Sequence, residues 1–219
     1  MNNLSPAYAS VIGISAQHDA IADGTLPSSI GNFPYLTDLS LRDQRLTSTI
    51  PSTVGLLTNL LNLNLNSNKL RGTLPSTIGS LINLQYLFMS SNSLSGPIPY
   101  TIGSMTSLQR IFIVDNKLNG TLPNSMGSLT NLVALYLKNN KIDGTIPTTF
   151  SQLVRLSGLS LQLNYLTMGT ALTVPTSTFS EQTLNHLGSI AGSSALLNNC
   201  LAFSYGTTSV TATRCLISE

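Results

Sequence analysis

The side chains able to do acid–base, nucleophilic or metal chemistry are few and far apart in this chain. His18 and His186 have no cysteine or carboxylate at metal-ligand spacing. The eight carboxylates are scattered, and Asp38 and Asp43 beside Arg42 and Arg45 read as a solvated charged face. No G-x-S-x-G elbow, phosphate-binding loop or H-E-x-x-H helix occurs. The expectation is therefore a protein that is not an enzyme and holds no cofactor or metal. Cys200 and Cys215 are an even pair, read as one disulfide formed in an oxidising compartment, with two reduced thiols as the alternative. Asn119-Gly120-Thr121 and Asn3-Leu4-Ser5 match the N-glycosylation triplet.

Bulk properties narrow the classes further. Only 8% of residues are charged and the net charge is +2, which argues against a nucleic-acid binder with its clustered basic surface. With 42% hydrophobic residues in a regular pattern, the chain is not of the disordered class. No apolar run approaches the length of a membrane span. The opening "MNNLSPAYAS" lacks the basic and apolar regions of a signal peptide, so the chain is read as a mature form or a fragment, such as a cell-surface ectodomain.

What must position any site is a repeat. Pro27, Pro51, Pro75, Pro99, Pro123 and Pro147 are spaced by 24, and Gly31, Gly55, Gly79, Gly103 and Gly127 follow the first five by four. One unit reads Leu60-x-x-Leu63-x-Leu65-x-x-Asn68-x-Leu70-x-Gly72-x-Leu74-Pro75-x-x-Ile78-Gly79-x-Leu81. Others begin at Leu36, Leu84, Leu108, Leu132 and Leu156, the last incomplete. Leu63-x-Leu65 alternates with period two, so it predicts a short strand with its leucines facing in. Such strands stack in parallel about 4.8 Å apart. Asn68, Asn92, Asn116, Asn140 and Asn164 follow the strands, where an amide can satisfy backbone groups as the chain turns. Gly72 eases the next bend, Pro75 fixes φ, and Ile78 and Leu81 return to the core in a short helical or 3₁₀ turn. One coil cannot bury its apolar face alone, so stability lies between neighbours.

These motifs resemble the leucine-rich repeat family in its plant-type form, over about residues 22–166. The resemblance implies an α/β fold, a right-handed horseshoe solenoid with a parallel sheet on its concave face. Three positions depart from the pattern: Gln44 replaces the first Asn, Ser48 a Gly, and Met168 stands where the sixth unit would have Gly. The organisation expected is an N-terminal cap and irregular first coil over 1–35, repeats over 36–166, and a degraded repeat with a C-terminal cap over 167–219. Residues 9–14 read as a capping strand, and "NNCLAFSYGTTSVTATRC" as strand-like cap segments closed by Cys200 and Cys215.

Recognition is the function this organisation favours. Residues flanking the inward leucines of each strand face out. Listed by coil, they concentrate Tyr86, Phe88, Arg110, Phe112, Val114, Tyr136 and Lys138 on three adjacent strands. Phe88, Phe112 and Tyr136 are expected as apolar anchors, with Arg110 and Lys138 orienting a protein or peptide partner. In receptors and inhibitors that the repeat resembles, the concave face is the usual contact surface, which implies a secreted or extracellular setting. Three alternatives stay open. Arg45, Lys69, Lys117 and Lys141 would form a basic rim for an acidic polysaccharide, as in an inhibitor-like module. Two ladders, Thr25, Thr49, Thr73, Thr121 and Thr145, and Thr53, Thr77, Thr101 and Thr149, would suit an ice surface. The chain could also be a structural spacer.

Overall fold

The computed structural model describes residues 12–16, 24–167, 201–205 and 210–214. Cys200, Cys215, His18, His186, Asn3 and Met168 lie outside the described residues, and with them the expected disulfide and the first glycosylation triplet. The strands are Gly13–Ala16 (β1), Asp38–Leu41 (β2), Asn62–Asn64 (β3), Arg71–Gly72 (β4), Tyr86–Phe88 (β5), Ser93–Gly96 (β6) and Arg110–Phe112 (β7), followed by Lys117–Thr121 (β8), Ala134–Tyr136 (β9), Lys141–Gly144 (β10), Gly158–Ser160 (β11), Tyr165–Leu166 (β12), Leu201–Tyr205 (β13) and Val210–Arg214 (β14).

The expected parallel sheet is present, with seven strands in the order β1-β2-β3-β5-β7-β9-β11. Its register aligns equivalent residues of every coil: Leu39, Leu63, Leu87, Ile111, Leu135 and Leu159 pair in one inward row. A strand at Gly13–Ala16 pairs with β2; of the capping strand expected over 9–14, residues 9–11 lie outside the described residues. The β13–β14 pair is an antiparallel hairpin, with Leu201 opposite Arg214.

A second parallel sheet, β12-β10-β8-β6-β4, was not expected from the sequence. Its alternation is real: Leu118 and Leu122 are buried, while Lys117, Asn119 and Thr121 are exposed. The inward position between the leucines is Gly120, which hides the period-two apolar signal.

After each of Pro27, Pro51, Pro75, Pro99, Pro123 and Pro147 comes one five-residue 3₁₀ segment: Ser28–Asn32, Ser52–Leu56, Ser76–Ser80, Tyr100–Ser104, Asn124–Ser128 and Thr148–Gln152. The helical layer of this fold is thus made of single 3₁₀ turns among the described residues. Gly79 shows why the first five carry glycine: a Cβ there would collide with the backbone carbonyl of Thr101 in the next coil.

Buried Asn side chains tie the coils together. The Oδ1 of Asn140 accepts from the Leu118 N–H at 3.0 Å, while its Nδ2 donates to Ile113 O at 2.8 Å and Leu137 O at 3.0 Å. Asn68, Asn92, Asn116 and Asn164 repeat the arrangement, each accepting from an N–H of the preceding coil and donating to a carbonyl of that coil. A second amide series is external: Asn59, Asn83 and Asn131 donate to Pro34 O, Thr58 O and Thr106 O.

The departures from the repeat have local reasons. Gln44, fully buried, donates to Arg42 O of its own coil at 2.8 Å. Ser48 stands where later coils have Gly72, Gly96, Gly120 and Gly144 at φ 70–77°. Its hydroxyl oxygen accepts from the Leu26 N–H at 3.0 Å. One turn position is left-handed in every coil without being glycine: Asp43, Ser67, Ser91, Asp115, Asn139 and Leu163, at φ 55–57°.

Two stability tests follow from these positions. Asn140→Ala leaves the Leu118 N–H and the Ile113 carbonyl unpaired in the core, so urea unfolding should lose about 2–4 kcal/mol. Leu163 is 65% exposed and left-handed, so Leu163→Asn should gain about 0.5–1 kcal/mol in the same measurement.

Candidate recognition surface

The outward residues of the seven-stranded sheet fall into the columns expected from the spacing. One runs Asp38, Asn62, Tyr86, Arg110, Ala134, Gly158, and the next Ser40, Asn64, Phe88, Phe112, Tyr136, Ser160. The first coils are polar and use their polar groups within the protein. Asn62 Nδ2 donates to Asp38 Oδ2 at 2.7 Å, Asn64 Oδ1 accepts from the Asn66 N–H at 3.1 Å, and Asn66 Oδ1 accepts from the Ser90 N–H at 2.6 Å.

The next three coils carry a continuous run of rings. Centroid distances are 6.1 Å for Tyr86–Phe88, 5.1 Å for Phe88–Phe112 and 4.5 Å for Phe112–Tyr136. The last pair is nearly parallel, at 6°, while Phe88 and Phe112 are tilted by 43°. The guanidinium of Arg110 lies 6.0 Å from the Tyr86 centroid, at the outer limit of a cation–π contact. Tyr86 Oη donates to Gln109 Oε1 at 3.4 Å. All four rings are half-buried, Val114 is half-buried, and Arg110 and Lys138 are exposed.

The structure adds two residues to this group. A Cβ on Gly158 would lie 2.9 Å from Tyr136 Oη and 3.1 Å from its Cε1, and 3.4 Å from the Cβ of Ala134. Tyr136 therefore leans over Gly158 of the neighbouring strand, whose cross-strand partner Ala134 is 8% exposed. Their small size gave no chemical signal in the sequence. Column alignment alone placed them beside Tyr136.

Two members of the basic column lie on the second sheet. The spacing set Arg45, Lys69, Lys117 and Lys141 along the rim of the concave face. Lys117 and Lys141 open β8 and β10 of the second sheet, opposite Ser95 and Asn119. Arg71 at the start of β4 and Asp143 in β10 share that outer face.

The threonine ladders are used unequally. The hydroxyls of Thr53, Thr77, Thr101 and Thr149 donate at 2.6–2.8 Å to Ser28 O, Ser52 O, Ser76 O and Asn124 O of the preceding coils. They are intercoil ties. Thr25, Thr49, Thr73, Thr121 and Thr145 are exposed. The methyls of Thr49, Thr73 and Thr121 lie over Gly72, Gly96 and Gly144 of the next coils, within 3 Å of where a Cβ would be. Among the described residues no group of three His, Cys, Asp or Glu side chains could hold a metal, and no helix is long and apolar enough to cross a membrane.

Comparison with known proteins agrees with this geometry. Leucine-rich repeat models match residues 59–81, 83–105 and 106–166. No curated protein matches in sequence. The Arabidopsis receptor kinase HAESA, solved with the peptide hormone IDA and the co-receptor SERK1, is 34% identical over 71% of this chain, with a TM-score of 0.68. This chain spans only 26% of the HAESA chain. The ectodomain of the Arabidopsis thaliana receptor kinase SOBIR1 is 34% identical, over 60% of this chain and 72% of its own, with a TM-score of 0.56. A plant ice-binding protein is 29% identical, over 74% of this chain and 52% of its own, with a TM-score of 0.63. The fold and register define a leucine-rich repeat solenoid, and the chain belongs to the leucine-rich repeat family.

The packing of Tyr136 is testable by itself. Gly158→Val should displace the ring from Phe112 and weaken the near-ultraviolet circular dichroism of the aromatic run, while the far-ultraviolet spectrum stays unchanged. An unaltered near-ultraviolet signal would show that Tyr136 does not rest there.

Proposed function

We propose that this chain is a non-catalytic, extracellular recognition module that binds an extended peptide or protein segment on its concave sheet. The observation that carries this is the run Tyr86–Phe88–Phe112–Tyr136, half-exposed across three coils and flanked by exposed Arg110 and Lys138. Aromatic neighbours on a sheet do stabilise one another. That stabilisation does not require them to gather in the middle coils. A gathered aromatic patch with cations at its border has the composition of a binding hot spot.

The rings also select the kind of partner. Phe112 and Tyr136 lie nearly parallel at 4.5 Å, so each covers part of the other's face, while Phe88 is tilted against Phe112. A sugar ring needs an open aromatic face to lie on. Rings packed on one another in differing orientations suit aliphatic and aromatic side chains better. Support of a second kind is the similarity to HAESA, whose structure contains a peptide hormone. Arg110 and Lys138 favour a segment that carries a carboxylate near its apolar residue.

The exposed column Thr25, Thr49, Thr73, Thr121 and Thr145, with the similarity to a plant ice-binding protein, favours ice as the second reading. Thermal hysteresis in the wild-type protein, abolished by Thr73→Lys and Thr121→Lys, would establish it.

The peptide reading is tested with a displayed random-peptide library. Peptides enriched on wild type should bind Phe88→Ser, Phe112→Ser and Tyr136→Ser at least about tenfold more weakly, with each variant's far-ultraviolet spectrum unchanged. Equal binding by wild type and all three variants would remove the concave face from consideration.

A further inference from the structure

Most asparagine amides in the solenoid have structural work. Asn68, Asn92, Asn116, Asn140 and Asn164 tie coils inside the core, and Asn59, Asn83 and Asn131 tie them outside. Asn62, Asn66 and Asn139 bond within the first sheet or its turns. Asn119 differs. Its side chain is exposed and makes no hydrogen bond among the described residues. It also begins the triplet Asn119-Gly120-Thr121. Its strand, β8, is the central one of the second sheet, and Asn119 projects from the outer face between inward Leu118 and Gly120. Thr121 is exposed on the same side, with its methyl turned toward Gly144.

We propose that Asn119 carries an N-linked oligosaccharide, and that this glycan covers the outer face of the second sheet. The co-reactant is a lipid-pyrophosphate-linked oligosaccharide. The Asn119 Nδ2 forms a bond to the anomeric carbon of the donor sugar, and the bond from that carbon to the pyrophosphate oxygen breaks. The lipid pyrophosphate leaves with the electron pair, and Nδ2 gives up one proton to a base of the transferase. The finished fold accepts the product, because attachment at Nδ2 breaks no hydrogen bond and displaces no packed atom. The glycan then stands over Lys141, which is in register with Asn119, and over Lys117 two residues earlier on the same strand. A flat ligand, whether ice or an acidic polymer, would find the middle of this face occupied. The first sheet, which bears the aromatic run, stays clear. The inference rests on the extracellular setting proposed above, but on no property of the concave face.

The test uses the full chain with a supplied secretion leader in a eukaryotic host, so that attachment is read independently of the chain's own export and of any peptide binding. The peptide spanning Asn119 should carry a mass removed by an amide-cleaving N-glycosidase, with Asn119 converted to Asp. That mass should be absent in Asn119→Gln and in Thr121→Ala, and kept in Asn3→Gln, which silences the other triplet. An unmodified Asn119 peptide, with a control glycoprotein modified in the same cells, would overturn the assignment. Shielding has its own readout. Amine acetylation of Lys117 and Lys141 should be several-fold slower in the wild type than in Asn119→Gln, with Lys138 unchanged. Equal rates at Lys117 and Lys141 in the two proteins would refute the covering role. Peptide binding by Asn119→Gln should equal that of the wild type, so a missing glycan and a silent concave face remain separate results.

Discussion

A buried carboxamide holds this solenoid together. An Asn side chain has two donors and an acceptor in a fixed plane, and each ladder Asn uses both ends. It takes an N–H and gives to a carbonyl of the coil before. The carbonyl, Ile113 O, lies just past the strand of the first sheet, and the N–H, that of Leu118, lies in the strand of the second. Without the amide they would be buried and unpaired, at about 1–3 kcal/mol each. The spacing of donors and acceptors from coil to coil is therefore set by one rigid group. A coil one residue longer or shorter would miss its neighbour's amide. The prolines and glycines serve that same period: proline starts a single 3₁₀ turn, and glycine lets the next coil's backbone lie against it.

Strict alignment between coils separates core from surface. Inward rows of Leu, Ile, Val, Met and Phe interlock as one continuous cluster from Leu26 to Leu161. Each fully buried side chain contributes about 1.5–3 kcal/mol. Outward positions are fixed in place by the same register but free in type, so any chemistry placed there is held on a stiff frame. In the first coils that freedom is used for amides bonded to one another. In the middle coils it holds a run of four rings, two of them stacked nearly parallel. Gly158 finishes the arrangement by leaving room for Tyr136.

The hydroxyl and amide columns on the other surfaces divide by the same criterion, namely whether the polar atom already has a partner. Thr53, Thr77, Thr101 and Thr149 look like a presented ladder in sequence, yet each hydroxyl reaches a carbonyl of its neighbour coil. Thr73 and Thr121 have exposed side chains with methyls placed over glycines. Asn119 has neither a tie nor a packing role. Surface polarity by itself distinguishes none of these cases.

The period, the inward leucine rows, the amide ladder and the outward columns were all legible in the residues. They depend on local alternation and on a repeat that every coil restates, so each position is read several times over. The second sheet was not legible, because Gly120 and its equivalents occupy the inward position that would have shown the alternation. Lys117 and Lys141, which open two of its strands, were therefore read without it. The left-handed turn at Ser67, Ser91 and Leu163 was also invisible, since the residues there are not the glycines that usually mark it. Residue types and spacing by themselves determined the solenoid and the membership of its columns, because burial at period two and period 24 admits one arrangement. Only the tertiary structure decided which hydroxyls and amides were already bonded, how the rings lay on one another, and that Gly158 seats Tyr136. Those outcomes depend on distances between coils, which no single stretch of chain encodes.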